Sequence, residues 1–166
     1  MKRVNQILFH HKYQHALEQI KIWERNRAFC RHTLEHFLDV ARLAYIHCLE
    51  QKMDVKKDVI YAAALLHDIG RHEQYDKDIP HEVASARLAD EILPECSFSE
   101  EERLQIRQAI LGHRGSKENK ESKKDGACDL KRLLYQADKA SRNCFACAAR
   151  EDCHWPHDKM NMEIRD

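Results

Sequence analysis

The sequence predicts an all-α fold, a compact bundle of helices, and three observations carry that expectation. Of its 166 residues 43% are hydrophobic, while only 4 are Gly and 3 are Pro, so helix breakers are scarce. Apolar residues recur at three- and four-residue spacing, the period of a buried helix face. No period-two alternation of any length competes with it.

Leu8, Ala16, Leu17, Ile20 and Trp23 suggest an opening amphipathic helix with a His-rich beginning. In the next helix Leu34, Phe37, Leu38, Ala41, Tyr45 and Cys48 form one buried face with His36 at its border. Asp54 suits the N-cap of a third helix that runs through Val59 to about Ile69 and stops at Gly70. Pro80 fits the first turn of a helix from His81 to Leu93, and Ser99 with Glu102 has the capping-box spacing of another that ends near His113. His81 at a helix start and His113 at a helix end can both turn toward a shared pocket. From Arg114 to Ala127 the chain is of low complexity, with Lys117, Lys120, Lys123 and Lys124. This stretch reads as a solvated loop, or as a cationic flap beside a phosphate site. The apolar run Leu133-Leu-Tyr-Gln-Ala then leads to Asp138.

Lys+Arg 28 balances Asp+Glu 28, so no global basic field favours extended nucleic acid and no acidic excess marks a disordered tail. The opening residues hold no secretory apolar region, and no run of about 20 apolar residues suits a membrane span. The expected setting is the cytoplasm, where the 7 cysteines stay reduced as thiols or metal ligands. One domain is expected over 1–166, with a core at about 28–143 and a Cys-rich extension over 144–166.

The chemistry concentrates at His67-Asp68, which ends the apolar stretch Tyr61-Ala-Ala-Ala-Leu-Leu and is flanked by His36 upstream and Asp138 downstream. Adjacent helical side chains point about 100° apart, yet both can reach one ion seated between packed helices. Neutral imidazole and ionised carboxylate suit divalent metals. Any one of these histidines alone reads more readily as a hydrogen-bonded core residue. Two unpaired polar groups at the end of an apolar helix are costly to bury, however, and that favours a metal.

The order H…HD…D, with Leu-Leu before the pair and Ile-Gly-Arg after it, resembles the HD-domain superfamily of metal-dependent phosphohydrolases over roughly residues 28–143. The resemblance implies a compact HD-domain helical bundle. With His81 and His113 between the pair and Asp138, it also implies the six-ligand subtype, in the order His36, His67, Asp68, His81, His113, Asp138. It places the first ligand just before the apolar Phe37-Leu-Asp-Val-Ala-Arg run, which prefers His36 to His32. His32, read as one helical turn earlier on the same side, would contact substrate or support a ligand, with Glu35 and Asp39 as acceptors.

On this resemblance Asp68 bridges two divalent ions, iron, manganese or another. His36, His67 and Asp138 complete one shell, and His81 and His113 bind the second ion. Two such ions about 3.5 to 4 Å apart bridge a hydroxide and polarise the phosphoryl oxygens it attacks, which makes His67 and Asp68 the catalytic core. Arg71, Arg114, Lys139 and Arg142 each adjoin a ligand in sequence and would bind the anionic substrate. The favoured reading is hydrolysis of a small phosphate ester or anhydride, a nucleotide or dinucleotide. A mixed-valence di-iron oxygenase and a non-catalytic nucleotide- or redox-sensing module are the alternatives, and no oligomeric state is indicated.

Cys144-Phe-Ala-Cys147 and Cys153-His154 form a second constellation, C-x2-C-x5-C-H, outside the HD pattern. With His154 or His157 it would complete a zinc site. With an outside ligand such as Cys30 or Cys128 it would hold an iron-sulfur cluster, and free buried thiols are the plain alternative. It reads as a staple for the C-terminus or as a redox element coupled to the helix of Asp138.

Overall fold

The apolar segment before His67 folds as helix α4 (Lys57–Leu66), in which Val59, Ile60 and Ala62 to Leu66 are all buried. A helix apolar on every side needs neighbours on every side. It gets them from α3 (Leu34–Glu50), α7 (Glu100–Gly112), α8 (Gly126–Ala140) and the short α1 (Lys2–Leu8). The computed structural model describes residues 1–114 and 126–164, the side chains of 126–128 excepted. The lysines expected in a loop or flap, Lys117 to Lys124, and the thiol of Cys128 lie outside the described residues. Among the described residues the fold is all-α, with eight helices, two 3-10 turns and no strand.

In α3 the buried residues Phe37, Val40, Ala41, Ala44 and Cys48 follow the expected stripe. In α8 the stripe is Leu130, Leu133, Leu134 and Ala137. These stripes meet each other and α4, and each Leu, Ile or Phe buried there contributes about 1.5–3 kcal/mol. The outer helices α2 (His11–Trp23), α5 (Arg71–Lys77) and α6 (His81–Ile92) pack as a second group, with α6 resting on α7. Ser99 and Glu102 form the capping box that starts α7.

Three expectations are corrected. The single opening helix is two helices, because His10 leaves helical geometry and its ring accepts the Lys12 N–H at 3.2 Å, capping α2. Trp23, expected on the buried face, is 50% exposed. The third helix begins later and ends earlier than expected. Lys56, not Asp54, is its N-cap, Asp58 supplies the first-turn negative charge, and residues 67–70 form a turn. Gly70 does not adopt a left-handed conformation (φ −82°). A Cβ there would lie 2.4 Å from the Ser85 backbone nitrogen and 2.6 Å from the Ala84 Cβ, so glycine is needed for the close approach of α6.

This approach serves the site. The end of α4, the first turn of α3, the start of α6 and the ends of α7 and α8 bring His67-Asp68, His36, His81, His113 and Asp138 to one place.

Candidate metal centre

Histidine rings in a metal site need one nitrogen held and the other free. His67 Nδ1 donates to the Ala64 carbonyl at 2.7 Å, and His113 Nδ1 to the Ile110 carbonyl at 2.6 Å. His81 Nδ1 lies 2.8 Å from Gln74 Oε1, and His36 Nδ1 lies 3.3 Å from the Ser141 hydroxyl. In all four rings Nε2 is therefore the inward atom. The His67 ring is also fixed by edge contacts with Phe37 and His113, at centroid distances of 5.5 and 5.3 Å.

The inward atoms form two groups that share one residue. His36, His67, Asp68 and Asp138 offer ligand atoms all within 4.8 Å of one another, and so do Asp68, His81 and His113. The Asp68 carboxylate divides between them. Its Oδ1 is 3.0 Å from His81 Nε2 and 3.4 Å from His113 Nε2, while Oδ2 is 3.5 Å from His67 Nε2. Asp138 Oδ1 faces His36 at 3.6 Å and His67 at 3.9 Å.

Donor chemistry and burial both fit a divalent cation. His67 Nε2 and Asp68 Oδ1 are fully buried without a hydrogen bond, an arrangement that is costly unless something positive sits between them. Protonation states agree. Burial pushes His67 down to about 4 and lowers His36 and His81. Burial alone would raise Asp68, but the imidazoles of His67, His113 and His81 outweigh it and hold it well below the usual carboxylate range. Asp138 is likewise held at about 2, burial being outweighed by His67, Lys139 and Arg142. Only His113 moves up, because its contact with Asp68 outweighs burial. Its Nε2 lies 3.3 Å from that of His81.

His32 precedes α3, whose N-cap is Thr33, and is not a turn of that helix. Its Nε2 reaches to 3.4 Å from Asp68 Oδ2, and its Nδ1 is paired with Glu24, not with the expected Glu35 or Asp39. Glu24 is buried, accepts the Tyr75 hydroxyl at 2.6 Å and the His32 N–H at 2.6 Å, and is held below the usual carboxylate range; the His32 contact outweighs burial. Glu24, Gln74, Tyr75 and Ser141 were not singled out from the sequence. Each acts through a fold contact that carries no local motif.

Beside the centre lies a cavity of about 210 Å³, reached by His32, His36 and Asp138 and lined by four arginines: Arg27, Arg31, Arg71 and Arg142. Arg71 Nε is 3.5 Å from Asp68 Oδ1. The Arg142 guanidinium stacks on Trp155 at 3.6 Å, and Phe29 and His154 complete an aromatic wall. Of the other expected cations, Lys139 donates to Asp138 Oδ2 at 2.6 Å without lining the cavity, and Arg114 reaches Glu82 at 3.4 Å on the outside. Arg27 and Arg31 join the set from the loop before α3, where the sequence gave no reason to single them out.

Residues 33–143 match the model of the HD domain family. An uncharacterised protein of Clostridium beijerinckii is 41% identical over 164 residues, covering 99% of both chains. Ribonuclease Y of Oleidesulfovibrio alaskensis is 40% identical over 62 residues, which are 37% of this chain and 12% of that protein. Among solved structures, a predicted HD superfamily hydrolase from an uncultured Thermotogales bacterium shares the fold with a TM-score of 0.64. It is 22% identical, and the match covers 93% of this chain and 82% of that one.

Proposed function

Because the chain belongs to the HD domain family, we propose that it is a metal-dependent phosphohydrolase that cleaves a small phosphate ester or anhydride, a nucleotide or dinucleotide, in the cytoplasm. The observation that carries this reading is the division of the Asp68 carboxylate between two imidazole groups, beside an arginine-lined cavity that His36 and Asp138 reach. His36, His67, Asp68 and Asp138 would hold one divalent ion, and Asp68, His81 and His113 a second. When bound, such ions supply Lewis acidity, lowering the pKa of water and polarising the phosphoryl group.

The chain's own groups do the rest. Arg71 and Arg142 extend from the ligands Asp68 and Asp138 into the cavity and neutralise phosphoryl charge as it redistributes. Arg27 and Arg31 line the same space and suit a second anionic group. Phe29 and Trp155 put aromatic rings in the cavity lining, which is compatible with a nucleobase. His32, fixed through Nδ1 by Glu24, presents Nε2 at the cavity 3.4 Å from Asp68 Oδ2, where it can contact the substrate. The volume suits a small ligand, not a nucleic-acid strand, in keeping with equal numbers of acidic and basic residues.

The test is phosphate release from a panel of nucleoside mono-, di- and triphosphates and dinucleotides, with manganese or ferrous iron supplied. Turnover in the wild type that falls at least about 10³-fold in Asp68→Ala supports the proposal. No turnover of any panel member by metal-loaded protein sinks it.

A further inference from the structure

Beyond α8 the chain has little with which to hold itself in place. Residues 141–164 form two single 3-10 turns, η1 (Cys144–Ala146) and η2 (His157–Lys159), and bury only Met160 and Asn161. The loop between α2 and α3 is similarly poor in secondary structure. Segments that bury so little apolar surface commonly rely on a covalent or metal staple.

Their thiols are placed for one. In a 3-10 turn, residues i and i+3 eclipse, and Cys144 and Cys147 occupy those positions, with the Cys147 N–H donating to the Cys144 carbonyl at 3.2 Å. Two further turns, Arg150 N–H to the Cys147 carbonyl at 3.3 Å and Cys153 N–H to the Arg150 carbonyl at 3.1 Å, bring the third thiol back. Cys153 and Cys144 line the same cavity as Cys30 from the α2–α3 loop. Cys30, exposed at the surface, is near enough to Cys144, Cys147 and Arg142 for them to act electrostatically on its thiol. The loop and the tail also touch through Phe29 and His154, whose rings lie 5.7 Å apart. Cys30 lines the cavity with Cys144 and Cys153 and brings a soft thiolate donor like theirs. None of the four is in a disulfide.

We propose that Cys30, Cys144, Cys147 and Cys153 are the four ligands of a structural zinc site, separate from the His/Asp centre. Four thiolates in tetrahedral array are the soft set that zinc favours, and the dication offsets the repulsion of gathering them. Among the described residues only the His/Asp groups are already gathered within 4.8 Å, so zinc would draw these thiols inward. The ion would tie the loop before His32 and His36 to the tail after Asp138, clamping the two walls of the cavity.

The experiment is metal analysis of the full chain purified without chelator, followed by cobalt substitution. Cobalt held by thiolates gives an intense sulfur-to-metal charge-transfer band in the near ultraviolet, and the His/Asp centre contains no sulfur. The expected result is one zinc per chain and a charge-transfer band that survive Asp68→Ala but disappear in the Cys144→Ser/Cys147→Ser double variant and in Cys30→Ser. The proposal is overturned by iron with acid-labile sulfide at these cysteines, by a disulfide among them, or by wild-type protein that shows no thiolate–cobalt band while all four thiols react freely. Cys30→Ser that keeps the full band overturns the choice of fourth ligand. The wild-type spectrum decides the matter even if a cysteine variant fails to fold, and failure of phosphate release leaves it untouched.

Discussion

His32 and His36 are four positions apart, yet they meet different partners, and their loss should therefore read differently. His36 Nε2 belongs to the four-residue ligand group, whereas His32 spans from Glu24 to the open side of Asp68. His36→Ala should abolish activity and lower bound metal. His32→Ala should keep most of the metal and lose turnover by about 10–100-fold, as changes to groups that orient metal ligands typically do. Metal content and kcat on the same preparations check this, and the reverse pattern would make His32 the ligand. The six residues that the structure gathers were legible in the sequence because their types and order suggest metal chemistry. Their supports were not: Glu24 reaches His32 across a loop, and Ser141 reaches His36 from 105 positions away. Nothing local distinguishes such a Glu or Ser from a solvated one.

Helices were legible where a period or a cap is local, as in α3 and in the Ser99–Glu102 box, and less so where tertiary contacts set the ends, as at Lys56 and Leu66. Gly70 shows the difference. Its glycine signals a helix stop, but its function is to let α6 approach, with its N–H donating to Ser85 Oγ at 2.9 Å. Gly70→Ala should cost about 1–3 kcal/mol, the usual range for overpacking. It should also shift His81 away from Asp68, seen as a lower melting temperature with weakened metal binding. Glu102 joins three elements. It accepts from Arg3 of α1, from Lys56 at the start of α4 and from the Ser99 N–H, and the Arg3 contact first of all, against burial, brings it down to about 2. Its folded pKa lies below its unfolded value, so the stability it contributes is full above about pH 5 and is lost as pH falls toward 2. Glu102→Gln should cost about 1–2 kcal/mol at neutral pH, discounted because Arg3 and Lys56 are open to solvent. Urea melts across this range should show the deficit vanish in acid; a constant deficit would assign the effect to packing.

Over the whole molecule the tail meets the α2–α3 loop through Phe29 and His154 and is tied to the end of α8 by Asn161. The Asn161 amide donates to the carbonyls of Lys139, Ala140 and Arg142 at 2.7, 3.2 and 3.0 Å, capping α8 from a segment twenty residues on. Asn161→Ala should cost about 1–3 kcal/mol and raise KM more than it lowers kcat, since it frees the tail that carries Trp155 and not the ligands. Equal loss in both constants would place the effect on Asp138 instead. The sequence marked this tail only through its cysteines, because an Asn that caps a distant helix end has no pattern of its own. The shared Asp68 carboxylate has a consequence at this scale too. If both halves bind ions as proposed, one side chain facing both imidazole groups would keep their affinities from being independent. An occupant of the first half orients the carboxylate for the second and withdraws some of its negative charge, and by reciprocity whatever free energy one gains or loses is returned in full to the other. A binding isotherm for this protein should depart from that of two unrelated sites, and Asp68→Asn, which keeps the shape and removes the charge, should bring the two halves closer to independence.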